Sequence, residues 1–244
     1  MLALLSDIHA NIAALEACLA HAEAHGAKRY AFLGDLVGYN ADVREVVQRV
    51  ADYAEQGAIV LKGNHDEAVE TSSAYLNDAS RAAIDWARSQ LSAEERRFLA
   101  ELPLVHREDD LCLVHATVDH PERWDYLDSP AAAHRSMEAA ACPYTFVGHV
   151  HEQRLYTEQQ GRAHAFHPSP GTAIPVLRNR RRLAIVGTVG QPRDNNQAAG
   201  YCLFDAAQAR VTFFRIPYDY RATAARIRAA GLPEALAYRI ERGF

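Results

Sequence analysis

The sequence has no apolar run approaching the roughly 20 residues that a membrane helix needs, so no membrane partner is expected. Cysteine is sparse. Cys18, Cys112, Cys142 and Cys202 stand far apart with no CxxC spacing, which argues against a disulfide framework or a thiolate zinc site. Lying in apolar stretches such as LCLVH and GYCLFD, they read as buried free thiols of a reducing compartment. There is no excess of positive charge: 26 Lys and Arg face 31 Asp and Glu, for a formal net charge of −5. With a pI near 6.2 this disfavours a broad nucleic-acid footprint and leaves any anionic substrate to be met by local charge. The opening MLALLS is too short for a signal-peptide core and has no basic region before it, so a cytoplasmic protein is expected. Internal repeats and low-complexity stretches are absent too.

What is present suits an ordinary globular chain, with 49% hydrophobic and 23% charged residues over 244 positions. A single domain over 1–244 is expected. Residues 2–6 form an apolar run that stops at Asp7, and helical spacing follows from Asn11 to about His25. A second strand, Lys28 to Leu33, ends at Gly34-Asp35; after a helix from Asp42 to Tyr53, a third strand, Ala58 to Leu61, ends at Gly63-Asn64-His65. Residues 67–102 place Leu76, Ala83, Trp86, Leu91 and Phe98 at helical intervals and predict a helical excursion, chiefly scaffold, whose functional version is a lid over a pocket. Strands are expected at 111–114 and 144–147 with a helix at 129–141 between them, then at 163–166, 183–186, 201–204 and 211–216, with a helical tail at 220–237. This order predicts an α/β chain whose early βα half and later β-rich half pack as layers.

The early strands end on residue types that ligate metals: Asp7-Ile8-His9, Asp35, Asn64, His115 and His149-Val150-His151. Carboxyl ends of strands in α/β sheets are where ligand sites collect, so these ends can converge on one cleft. On extended backbone the i and i+2 pairs Asp7 with His9, and His149 with His151, project to one side. Glycines before Asp35, Asn64 and His149 permit sharp turns and close approach. Mixed oxygen and nitrogen donors suit Mn, Fe, Ni or Zn in a catalytic rather than a structural site.

Taken in order, DIH, GDxxG, GNHD, a lone His after an apolar strand, and GHVH resemble the signature set of the calcineurin-like metallophosphoesterases. The resemblance spans about residues 3–151, and VGTVGQPRD (Val186 to Asp194) is similar to a further segment of a bacterial and archaeal branch. It implies a four-layer α-β-β-α sandwich of two mixed sheets flanked by helices. It also implies two divalent metal ions, one on Asp7, His9, Asp35 and His151, the other on Asp35, Asn64, His115 and His149, with Asp35 bridging. The activity implied is hydrolysis of a phosphate mono- or diester, on a phosphorylated small molecule or a nucleotide, by metal-activated water.

His65, beside Asn64, is then placed as the acid for the leaving oxygen. Arg193 offers a guanidinium fork for phosphate, and Tyr39 and Asn40 stand where they could line the cleft, against ordinary packing roles. Where protein-phosphatase-like members carry an Asp-Arg pair, this chain has Gly38 and Tyr39, which makes a phosphoprotein substrate doubtful and leaves the acid supporting His65 unassigned between Asp66 and others. His120, Trp124 and Tyr126 could stack a ring of the substrate. Seven other histidines, His120 included, read as local surface residues, and Arg178 to Arg182 as a solvated hairpin turn. A non-catalytic scaffold would need missing ligands, and a nuclease would need a basic groove; neither is present in the sequence.

Overall fold

The computed structural model describes residues 1–71 and 76–244; residues 72–75, within the expected helical excursion, lie outside the described residues. The strands are β1 (Leu2–Leu5), β2 (Arg29–Phe32), β3 (Ile59–Val60), β4 (Val105–Glu108), β5 (Leu111–Val114), β6 (Tyr144–Val147), β7 (Gln153–Gln159), β8 (Arg162–Phe166), β9 (Ala173–Pro175), β10 (Arg182–Val186), β11 (Ala199–Asp205) and β12 (Arg210–Ile216). The helices are α1 (Ile12–Ala24), α2 (Val43–Glu55), α3 (Asn64–Ala68), α4 (Asp78–Gln90), α5 (Ala93–Glu101), α6 (Pro130–Ala140), α7 (Tyr220–Ala229) and α8 (Glu234–Arg242). Among the described residues no helix is long and apolar enough to cross a membrane.

Two six-stranded mixed sheets form, in the orders β3-β2-β1-β11-β12-β9 and β4-β5-β6-β10-β7-β8. The period of two along the strands builds the layers. Leu2, Leu4, Leu111, Leu113, Phe146, Val186, Phe204 and Phe213 meet in a core cluster between the sheets. Their neighbours turn outward: Ala3 and Leu5 pack with Leu15, Cys18 and Val46 of α1 and α2, while Cys112, Val114 and Val147 pack with Ala133 and Met137 of α6. The result is the expected α-β-β-α sandwich.

The layers do not follow the halves of the chain. β11 and β12 return to the first sheet, pairing antiparallel beside β1, and β10 inserts between β6 and β7 in the second. Hydrophobic patterning sets which face of a strand is buried but says nothing of its neighbour, so β4, β7 and β9 also escaped the sequence reading. The tail is two helices rather than one, because Gly231 adopts a positive φ of 72° and Pro233 cannot continue a helix. Among the described residues of 67–102 the excursion is helical over α4 and α5. Ser92 and Glu95 form a capping box on α5, and Asn77 caps α4 by accepting from the Ser80 N–H at 2.9 Å.

The parallel strands β1, β2 and β3, and β5, β6 and β10, send their carboxyl ends toward one another. Backbone bonds then zip the loops beyond them: Asp7 N–H to Gly34 O at 3.0 Å, His9 N–H to Asp35 O at 2.9 Å, Gly148 N–H to His115 O at 2.9 Å and Gly190 N–H to Asp7 O at 2.8 Å. Gly148 and Gly190 are needed for this approach, since a Cβ on Gly148 would collide with Ser6 Oγ and one on Gly190 with the Ile8 carbonyl. Gly190→Ala is therefore expected to cost about 2 kcal/mol or more, read as a lower urea midpoint; an unchanged midpoint would mean that the two loops can part freely.

Candidate metal centre

At the zipped strand ends the backbone leaves the β region. Asp7 (φ 53°), His9 (48°), Asp35 (54°), His149 (65°) and His151 (67°) are all left-handed, as is Tyr39 (61°). Each such non-glycine residue costs on the order of 1–3 kcal/mol, and the concentration of strain here marks a site held against local preference. The i and i+2 pairing on extended backbone is therefore corrected: Asp7 with His9, and His149 with His151, converge through left-handed turns. Asn64 likewise does not end a strand but opens α3, four residues beyond β3.

Asp7, His9 and His115 are completely buried, and Asp35, Asn64, His65, His149 and His151 nearly so. His9 Nδ1 lies 3.0 Å from the Val37 carbonyl oxygen, His115 Nδ1 2.7 Å from that of Leu33, and His151 Nδ1 2.7 Å from that of Gln191. A carbonyl only accepts, so in the neutral rings Nδ1 carries the proton and Nε2 presents a lone pair. Those lone pairs face inward: His9 Nε2 is 3.2 Å from His151 Nε2, which is 3.1 Å from Asp7 Oδ1. His115 Nε2 lies 3.5 Å from Asp35 Oδ2 and 3.2 Å from His149 Nδ1.

At His9 and His151, where two neutral acceptors face each other, the lone pairs repel, and a shared cation would satisfy them. Two groups whose ligand atoms lie within 4.8 Å of one another could hold such ions, Asp7-His9-His151 and Asp35-His115-His149; His9-Asp35-His65 forms a third. Oxygen and imidazole donors without thiolate fit a borderline divalent ion, and the carbonyl bonds to Nδ1 are the outer support that orients ligating histidines. Protonation states agree at His9 and His149. Burial pushes His9 well below the ordinary imidazole range, and burial with the neighbouring His115 takes His149 down to about 3. Burial would raise Asp7 and Asp35, yet the surrounding histidines, His151 foremost at Asp7 and His115 at Asp35, pull both below the usual carboxylate range. His115 differs: the Asp35 carboxylate outweighs burial and raises the ring to about 9, so without an ion its Nε2 holds a proton toward Asp35, which a bound cation would replace.

His65 packs its ring 4.6 Å from that of Tyr39 and 4.9 Å from that of His9. Its Nδ1 abuts Gly38, where no larger residue fits and the backbone has φ 91°, and finds no hydrogen-bond partner. Asp66 does not support it. Its Oδ1 accepts from the Leu36 and Val37 N–H groups at 2.9 and 3.3 Å and its Oδ2 from Gly63 N–H at 2.9 Å, tying the Asp35 loop to the Asn64 loop. Burial and the nearby Asp35 charge push Asp66 up to about 7.

Asp35, Asn64, His65, His149 and His151 line a cavity of about 510 Å³ together with Tyr39 and Arg193. Arg193 Nη2 donates to Tyr39 Oη and Gln191 Oε1, both at 3.3 Å. Asn40 is not a lining residue: its amide is buried and donates to the His9 and Gly190 carbonyls at 2.6 and 3.2 Å. Trp124 and Tyr126 do line the cavity, as do Leu76, Asn77 and Ser80 from the start of the helical excursion, whereas His120 pairs with Glu122 at 3.7 Å outside it. Arg178 and Arg181 are engaged by Asp110 and Glu158, in keeping with a solvated turn. Thr188 and Gln191 went unrecognised as supports, although both lie in the VGTVGQPRD segment; Thr188 Oγ1 donates to the Asp7 carbonyl at 2.9 Å.

Fold and site together define a metal-dependent phosphoesterase. The pattern of the calcineurin-like phosphoesterase superfamily domain matches residues 1–209, and the chain belongs to that family. It is similar to a metallophosphoesterase of Sphaerobacter thermophilus of known crystal structure, with 36% identity, a TM-score of 0.89 and coverage of 100% of this chain and 98% of the other. An uncharacterized protein of Methanocaldococcus jannaschii is 32% identical over 249 residues, covering 100% of this chain and 98% of that protein. A hypothetical protein of Pyrococcus horikoshii shares the fold, with a TM-score of 0.82 at 20% identity over 100% of this chain and 99% of its own.

Because Asp66 satisfies three buried N–H groups, Asp66→Ala should lower unfolding stability by about 2–3 kcal/mol in denaturant titrations, with Asp66→Asn costing less. Equal stability of all three proteins would show that the two loops hold without it.

Proposed function

We propose that this chain hydrolyses phosphate esters with two divalent cations, one held by Asp7, His9, Asp35 and His151 and the other by Asp35, Asn64, His115 and His149. The observation that carries the reading is the pair of buried aspartate–imidazole groups set side by side, with Asp35 adjoining both His9 and His115 at 3.6 and 3.5 Å. Ions bound there would supply Lewis acidity toward phosphoryl oxygens and lower the pKa of water toward neutrality.

The chain's own groups do the rest. Arg193, a cation at the cavity wall with no carboxylate against it among the described residues, orients the phosphoryl oxygens, and its bond to Tyr39 Oη holds the guanidinium fork in place. His65 Nε2 holds the proton for the leaving oxygen, since Nδ1 is shut against Gly38. Tyr39 packs on His65 with ring centroids 4.6 Å apart, so the ring is positioned by stacking rather than by a carboxylate. Burial keeps His9 and His149 neutral, and so available to donate Nε2 or Nδ1 lone pairs to an ion.

Elemental analysis of protein reconstituted with manganese or zinc is expected to give two ions per chain, and at most one in Asp35→Ala. A single ion in the fully loaded wild type would sink the shared role of Asp35. His65→Ala should lower kcat by roughly 100- to 10,000-fold with metal content unchanged. Loss of metal alongside turnover would instead make His65 a ligand, the role its proximity to His9 and Asp35 also permits. Assays against aryl mono- and diesters test the activity itself: no turnover with any of several divalent ions would favour a binding scaffold.

A further inference from the structure

We infer that Trp124 and Tyr126 form a shelf that selects phosphate esters carrying a planar ring beside the scissile phosphate, an inference that rests on the phosphoesterase reading above. The cavity over the metal centre, about 510 Å³, is of the size that encloses a whole small molecule, far more than a phosphoryl group needs. Its remaining volume is walled in part by these two rings. The Tyr126 ring lies 4.2 Å from that of His149, nearly parallel at 27°, so one face is covered; the residue is nonetheless 54% exposed, which leaves its other face bare at the cavity.

Both rings are fixed in advance. The Trp124 indole N–H donates to Glu67 at 2.7 Å, its ring stands edge-on to His115 at 5.8 Å, and its backbone is held left-handed at φ 57°. Leu127, buried in the cluster beneath α6, and Ser129, whose Oγ caps α6, pin the loop just beyond. A lone exposed tyrosine is ordinary on a protein surface. Two aromatics on one short, strained and anchored loop, both lining the catalytic cavity, are a prepared platform for a flat apolar face, and preorganisation of this kind improves affinity by sparing the ordering cost on binding. Arg193 on the same cavity supplies the charge for the phosphate, so ring and anion would be held at once.

Adenosine 5′-monophosphate and ribose 5-phosphate carry the same phosphate on the same kind of oxygen and differ in the base, which makes them the test pair. Calorimetric affinities for the manganese-loaded protein, or kcat/KM where an ester is turned over, should favour the nucleotide by roughly 5- to 150-fold, the range of one stacked ring. The ratio should fall toward one in Tyr126→Ala and recover in Tyr126→Phe. A wild-type ratio near one, or a ratio that Tyr126→Ala leaves unchanged, overturns the shelf. A nucleotide preference in binding with no turnover of any ester would overturn the phosphoesterase reading and leave the shelf standing.

Discussion

Two carboxylates, Asp7 and Asp35, are buried almost completely, and among the described residues neither is paired with a lysine or arginine. An unpaired buried charge costs several kcal/mol, so the surroundings of these two groups must be arranged to sustain them. Each accepts one backbone N–H from a distant loop, Asp7 from His149 at 3.0 Å and Asp35 from His65 at 2.8 Å. The remaining lone pairs face imidazoles. What surrounds the two aspartates follows from this requirement: the donors come from loops that start in different sheets, so those loops have to meet.

Meeting requires close backbone contact and unusual torsions. Gly34 and Gly63 pack against each other's loops, Gly148 against Ser6 and Asp7, and Gly190 against Ile8. Five of the candidate ligands, Asp7, His9, Asp35, His149 and His151, sit in left-handed backbone. The cross-loop hydrogen bonds and the packed sheets beneath them over-determine this strain. Stability of the sandwich and geometry of the site are thus coupled, because the loops that carry the ligands bond across from one sheet to the other above the core they share.

The same coupling explains the division of labour among the polar residues. Asp66, Asn40, Thr188 and the Gln191 carbonyl spend their hydrogen bonds on loop backbone or on a histidine Nδ1, and so hold ligands rather than substrate. Arg193, Tyr39, Trp124 and Tyr126 face the cavity instead. Gly38 admits the His65 ring where a side chain would exclude it, and Tyr39 then covers that ring. A carboxylate partner for His65 has no room at position 38 in this arrangement.

Much of this was legible in the sequence. Apolar runs ending at Asp7, Asp35 and His115, with the ordered DIH, GDxxG, GNHD and GHVH segments, are enough for the family, the layered α/β fold and the residues gathered at the centre, because strand termini and residue chemistry are local properties. Only the tertiary structure decided which strands neighbour which, since β10 and β11 choose partners far away in the chain. It also decided that Asp7 and His9 meet through left-handed turns, that Asp66 serves backbone rather than His65, and that Trp124 and Tyr126 reach the cavity while His120 does not. Torsions and hydrogen-bond partners of loops depend on groups brought from distant stretches of the chain, as Asp35 is to His9 and His149 to Asp7, and no periodicity in the chain records them.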